Sequence, residues 1–195
     1  MTNLREKITR HLACVAATTI VFLGLNWVNE LAFLGLEHSN GVNWIFLPAG
    51  IRLLATLLFG LAGFEGLLLA GLYLNFWHFD FQSDFRAWSG AFASAAGPYV
   101  AALFARHWFD IRARLQGLTV QRLLFTALLC GFMSPVLHHA LMWVLTGEVD
   151  WHALTAMIVG DIVGIVVVLA LAKAAMALAE RYDPASNFIR RWIVR

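Results

Sequence analysis

Charge is what this 195-residue chain has least of: Asp, Glu, Lys and Arg make up 13% of it against 61% hydrophobic residues. Soluble globular domains carry about 25% charged residues, so that balance excludes one here. Cysteine is scarce too. Cys14 and Cys130 lie in apolar segments without metal-type spacing, which excludes a disulfide scaffold and a thiolate metal site and leaves both as packing residues. No GxSxG, HExxH, Walker loop or dinucleotide fingerprint is present, and no nucleophile and base can be paired from spacing. The chain is therefore expected to be no enzyme and to carry no cofactor. Neither an internal repeat nor a low-complexity linker is found, and no base-reading module accompanies the basic residues, so no nucleic-acid partner is expected.

What is present is apolar and aromatic. Eight Trp, fifteen Phe and a mean hydropathy of +0.72 point to an all-α, polytopic transmembrane bundle whose partner is the lipid bilayer. Hydropathy places six spans at Leu12–Leu36, Trp44–Gly60, Ala62–Phe79, Ala87–Ala105, Val120–Thr146 and Ala153–Leu178. Residues 1–11 then form a cytoplasmic N-terminal segment, 12–178 the membrane domain and 179–195 a basic tail suited to the interface. The first apolar run exceeds a signal-peptide core and lacks a clear cleavage site, so an uncleaved helix is expected. Any output domain would belong to another chain.

The weakest division is "LLFGLAGFEGLLL", where "GLAG" reads as a turn or as a break within one helix. Charge decides for the turn. With it, Arg5, Lys7 and Arg10, the group Arg106, Arg112, Arg114 and Arg122, and the tail arginines share one side. Glu37, Asp80, Asp84, Glu148 and Asp150 share the other, with Arg86 as its basic exception. Basic residues mark the cytoplasmic side, so both termini are expected there.

Ionisable groups inside the spans are costly, roughly 3 kcal/mol or more at the bilayer centre, and act as site markers. Arg52 in "FLPAGIRLLATLLFG" lies about eight residues into its span, hence roughly 12 Å deep. Asp161, His138, His139, Glu30, Asn26 and Asn75 fall in the same outer half. The economical arrangement pairs Arg52 with Asp161, with Glu30 as a second carboxylate. Pro48, Pro98 and Pro135 each free a carbonyl one turn earlier, where a polar cavity could use it. The plainer reading of Arg52 and Asp161 is an ion pair that fixes helix order. Adjacent His138 and His139 point to different helix faces, so one at most is expected to face a shared cavity, and no metal site is expected. Glu65 is expected only to reach the interface. Trp27, Trp44, Trp77, Trp88, Trp143 and Trp151 form an aromatic belt at the outer boundary. Gly160 and Gly164 bracket Asp161 as a GxxxG that would bring its carboxylate against a neighbouring backbone.

The stretches "LPAGIRLLATLLFG", "GLLLAGLYLNF", "SAAGPYVAALFARHW" and "MIVGDIVGIVVVLALA", over roughly residues 44–175, resemble the MASE1 family of bacterial integral-membrane sensory domains. The resemblance singles out Pro48, Ala49, Gly50, Gly160, Asp161 and Gly164 and implies the bacterial inner membrane. Arg52 stands where that family's pattern is apolar, and typical members have more spans and a fused output module.

Two functional classes follow. One is a sensory or regulatory module whose outward pocket around Arg52 and Asp161 binds a small-molecule ligand and acts through a protein partner at the cytoplasmic face. The other is a small-solute transporter or substrate-binding membrane subunit. A structural subunit of an envelope complex is the third reading.

Overall fold

The computed structural model describes residues 4–33, 37–39, 42–79, 81, 83–111 and 118–182. It is a helical bundle: α1 (Leu4–Phe33), α2 (Pro48–Phe59), α3 (Leu61–Tyr73), α4 (Asp84–Trp108), α5 (Val120–Thr146) and α6 (Trp151–Tyr182). Between α1 and α2 lies a small antiparallel ladder, β1 (Glu37–Ser39) with β2 (Val42–Asn43), in which Glu37 pairs with Asn43 and Ser39 with Val42.

The shortest helix stands at the centre. α2 touches each of the other five helices and buries Pro48, Ala49, Gly50, Arg52, Leu53, Ala55, Thr56 and Leu57. Its 12 residues span about 18 Å, well short of a hydrocarbon core of about 30 Å. Irregular backbone at residues 44–47 leads into α2. Such backbone is tolerated at membrane depth only where protein covers it and its polar groups are satisfied. Here the Phe46 N–H donates to the Gly160 carbonyl at 3.1 Å, and the Leu47 N–H donates to the buried Asn29 Oδ1 at 2.8 Å. Removing that acceptor with Asn29→Ala strands the Leu47 N–H and is expected to destabilise the fold by about 1–3 kcal/mol, read as a lowered midpoint of detergent-induced unfolding.

Pro48 is the first residue of α2, where a missing N–H costs nothing. It starts the helix rather than interrupting one, so the carbonyl expected to be freed one turn earlier lies outside any helix. Pro98 and Pro135 do sit inside α4 and α5. At the other end of α2, Gly60 takes a positive φ of 58°, and α3 folds back along α2. Gly63 lies against the Ala55 carbonyl, and Ile51 packs on the cluster that contains Leu67 and Ala70. The turn expected at "GLAG" is therefore present.

Small residues permit the close packing. α4 buries Ala87, Ala91, Ala93, Ala95, Gly97, Ala101, Ala102 and Ala105, and Gly97 meets the backbone of Ser134 on α5. One apolar cluster joins α2, α4, α5 and α6 through Leu53, Leu57, Ala101, Ala127, Cys130 and Ile165. A second joins α1, α3 and α4 through Phe22, Leu67, Ala70, Leu74 and Ala95. Outside, large apolar side chains stand exposed, among them Ile20, Val120, Val144 and Leu171, while Thr18, Asn26, Asn29, Thr56, Thr126 and Ser134 are buried. This inverts the soluble pattern. Three helices, Leu4–Phe33, Val120–Thr146 and Trp151–Leu178, are long and apolar enough to cross a membrane, and the chain is a membrane protein.

Helix bounds depart from expectation where local propensity favours it. α1 starts at Leu4, not Leu12, because "LREKITRH" is built of good helix formers; α6 runs past Leu178 to Tyr182 because "LALAKAAMALAE" contains no breaker. The basic tail beyond Tyr182, read as an interfacial anchor or as a plain topogenic tail, falls outside the described residues. The third expected span ends in a π-helical turn, Leu74–His78, closed by the Phe79 N–H on the Leu74 carbonyl at 2.8 Å.

Candidate functional site

Arg52 projects from α2 into the bundle and is 8% exposed; Asp161, ten residues into α6, is 3% exposed. One guanidinium nitrogen, Nη1, donates to Asp161 Oδ2 and to Ser134 Oγ, each at 3.5 Å. The guanidinium carbon stands 4.8 Å from the centroid of Phe46 and 5.5 Å from that of Phe22, within cation–π range. Arg52 Nε is buried without a hydrogen-bond partner. A guanidinium offers five N–H donors, so this pairing leaves much of its capacity unused.

Both residues line a cavity of about 510 Å³, a size suited to a small organic ligand. Asn26, Asn75, Ser94, His138 and His139 also line it, and the exposed Arg86, Glu148 and Asp150 stand at its rim. Asn75 Nδ2 donates to the Ala87 carbonyl at 2.8 Å, which ties the π turn to the start of α4. Gly90, on the next turn of α4, lies against Asn75 and His138; a side chain there would push on both.

Of the candidate ligand residues Arg52, Asp161, Glu30, His138, His139 and Asn75, all but Glu30 line this cavity. Glu30 takes no part in the Arg52 pair. It accepts from Asn26 Nδ2 at 2.8 Å and meets His78 Nε2 at 2.9 Å. Glu30 lies one turn beyond Asn26 towards the outer end of α1, so it reaches the π turn instead of the depth of Arg52. Both histidines line the cavity, not one as expected. Neighbours on a helix are separated by about 100°, and a cavity of this width reaches both; His139 Nδ1 also lies 3.1 Å from the Pro135 carbonyl.

The GxxxG also works differently from expectation. Gly160 is pressed against the Asn43 carbonyl and Gly164 against the Phe46 carbonyl. The two glycines thus seat the irregular segment that leads into α2, while the Asp161 carboxylate turns to Arg52. Gly50 packs on Val168 from the opposite side. Glu65 does more than reach an interface, since it meets His11 Nε2 at 2.6 Å.

Sequence reasoning missed Ser134, Phe22, Phe46, Arg86 and Asn29. Ser134 lies four residues before His138 and so shares its helix face, a signal that could have found it. Asn29 sits in "NWVNE" beside residues already singled out. Nothing distinguishes Phe22 and Phe46 among the fifteen phenylalanines. Among the described residues no three His, Cys, Asp or Glu side chains converge as a metal site requires. No family model, no curated protein and no solved structure matches the chain.

Proposed function

We propose that this is a multi-pass sensory or regulatory module of a bacterial inner membrane, which binds a small solute in an outward-opening pocket and signals to a protein partner at the cytoplasmic face. The observation that carries the reading is the buried Arg52–Asp161 pair at the base of a cavity whose rim is charged and exposed. The pair holds together weakly, through one nitrogen at 3.5 Å, as suits a site that exchanges an internal contact for a ligand contact.

Six crossings with both termini cytoplasmic fit the arrangement of charge. His11, Glu65, Arg106 and Arg122 gather at one end of the bundle; Glu30, His78, Arg86, Glu148 and Asp150 gather at the other. Trp27, Trp77, Trp88, Trp143 and Trp151 are exposed towards the second end, as an aromatic belt would be. The MASE1-like motifs agree with a sensory role. So does α2 itself, which carries Arg52 at the pocket and, one and a half turns on, a Leu57 carbonyl held by the Arg106 guanidinium. A rigid central helix gripped at both ends can carry a ligand's effect towards the cytoplasm. The irregular backbone before α2 favours a second reading, substrate capture by a transporter subunit, because transporters place such breaks beside their binding sites.

Thiol labelling tests the pocket. In a Cys14→Ala/Cys130→Ala background, a membrane-impermeant maleimide applied to the periplasmic side is expected to label Ser94→Cys and leave Glu65→Cys untouched. Labelling of Ser94→Cys only from the cytoplasmic side, or from neither, overturns the outward pocket. Solute uptake by proteoliposomes holding this chain alone would favour the transporter reading over the sensory one.

A further inference from the structure

We propose that the pocket's ligand is a zwitterionic α-amino acid with an apolar side chain, its carboxylate on Arg52 and its ammonium on Asp161. This specification rests on the pocket reading above.

The base of the cavity offers one positive and one negative side chain whose nearest charged atoms are 3.5 Å apart. The carboxylate and ammonium of an α-amino acid are separated by about 3 Å, set by the two bonds that meet at Cα, so the head group matches that spacing with opposite polarity. Arg52 has donors to spare, because only Nη1 is engaged and Nε has no partner, and a guanidinium fork takes a carboxylate through two parallel hydrogen bonds. Asp161 can accept from an ammonium on the side turned away from Arg52.

Net charge argues the same way. A lone carboxylate or a lone ammonium would leave the buried pair with an unbalanced charge in a low-dielectric interior, where such a charge is expensive. A zwitterion keeps the base neutral. Leu74, Phe79, Met142 and Met157 give the cavity an apolar stretch of wall beside the polar Asn26, Asn75, Ser94, His138 and His139. Two methionines and an aromatic ring accommodate a side chain of variable shape.

The test titrates the full-length protein in mild detergent with L-phenylalanine, 3-phenylpropionate and phenethylamine, using calorimetry. The wild type is expected to bind L-phenylalanine at least about 30-fold more tightly than either singly charged probe. Neutralising one partner should swap the preference: Arg52→Gln towards phenethylamine and Asp161→Asn towards 3-phenylpropionate. If a variant does not fold, the wild-type probe series alone decides. Equal affinity for all three probes, or no binding of any, overturns the amino-acid assignment. Periplasmic labelling of Ser94→Cys then still stands or falls by itself, so failure of this assignment and failure of the pocket are told apart.

Discussion

Asp161→Ala is expected to be the most damaging single substitution in the chain. It leaves the Arg52 guanidinium buried at 8% exposure with Ser134 Oγ as its remaining hydrogen-bond partner. Breaking a buried ion pair by removing one partner costs about 3–5 kcal/mol, because the surviving charge stays out of water without compensation. The cation–π contacts with Phe46 and Phe22 offset only part of this. Removing both charges is a different experiment. Arg52→Met combined with Asp161→Leu replaces the pair by apolar volume, a change that is often neutral in stability, and should recover to within about 1 kcal/mol of wild type while abolishing ligand binding. Midpoints of unfolding in mixed detergent micelles read both variants. Should Asp161→Ala unfold at the wild-type midpoint, Arg52 would have to be hydrated, and the closed-pair description would be wrong.

Gly164→Ala carries the second large effect, through sterics instead of charge. A Cβ at this position would run into the Phe46 carbonyl and approach the Leu47 nitrogen at 2.9 Å. These are backbone atoms held by the Phe46–Gly160 hydrogen bond, and they cannot swing aside as a flexible side chain would. Overpacking of this kind costs about 1–3 kcal/mol, and rigid backbone neighbours put this site at the upper end. Because Phe46 also stacks on Arg52, the substitution should weaken ligand binding even where the protein still folds. Gly24→Ala is the matched control: a Cβ there meets nothing within 4 Å, and exchanging Gly for Ala in a helix stabilises it by up to about 1 kcal/mol. The two alanines are expected to move the unfolding midpoint in opposite directions.

Much of the helical framework was legible because lipid imposes a single demand on the chain. Backbone hydrogen bonds must close within each segment, so apolar runs read directly as helices, and α5 has the bounds the hydropathy places on it. The α2–α3 turn was legible through charge, since a reversal at Gly60 brings Arg106 and Arg122 to the end of the bundle where α1 starts. Arg52 and Asp161 were legible as a pair because each is expensive alone at that depth.

What could not be read was lateral detail. Depth along a helix follows from counting residues, but the direction a side chain takes around the axis depends on which helices flank it. Glu30 stands about two turns beyond Phe22, the α1 residue that meets Arg52, and pairs with His78, which the π turn brings to that end of α1. The irregular segment before α2 was hidden for a related reason. Pro48 in "VNWIFLPAG" marks where a helix starts, but the groove of Gly160 and Gly164 that seats the residues before it belongs to a helix more than 100 residues away.

The separation of Arg52 from Asp161 along the chain, 109 residues, also sets a schedule for assembly. At a synthesis rate of about 5–20 residues per second, Arg52 leaves the ribosome roughly 5–20 s before its counter-ion does. For that interval α2 is a short helix with an unbalanced charge, and the groove that will hold its approach segment has not been made. The Arg52–Asp161 contact and the seat of residues 44–47 can therefore form only once α6 has arrived.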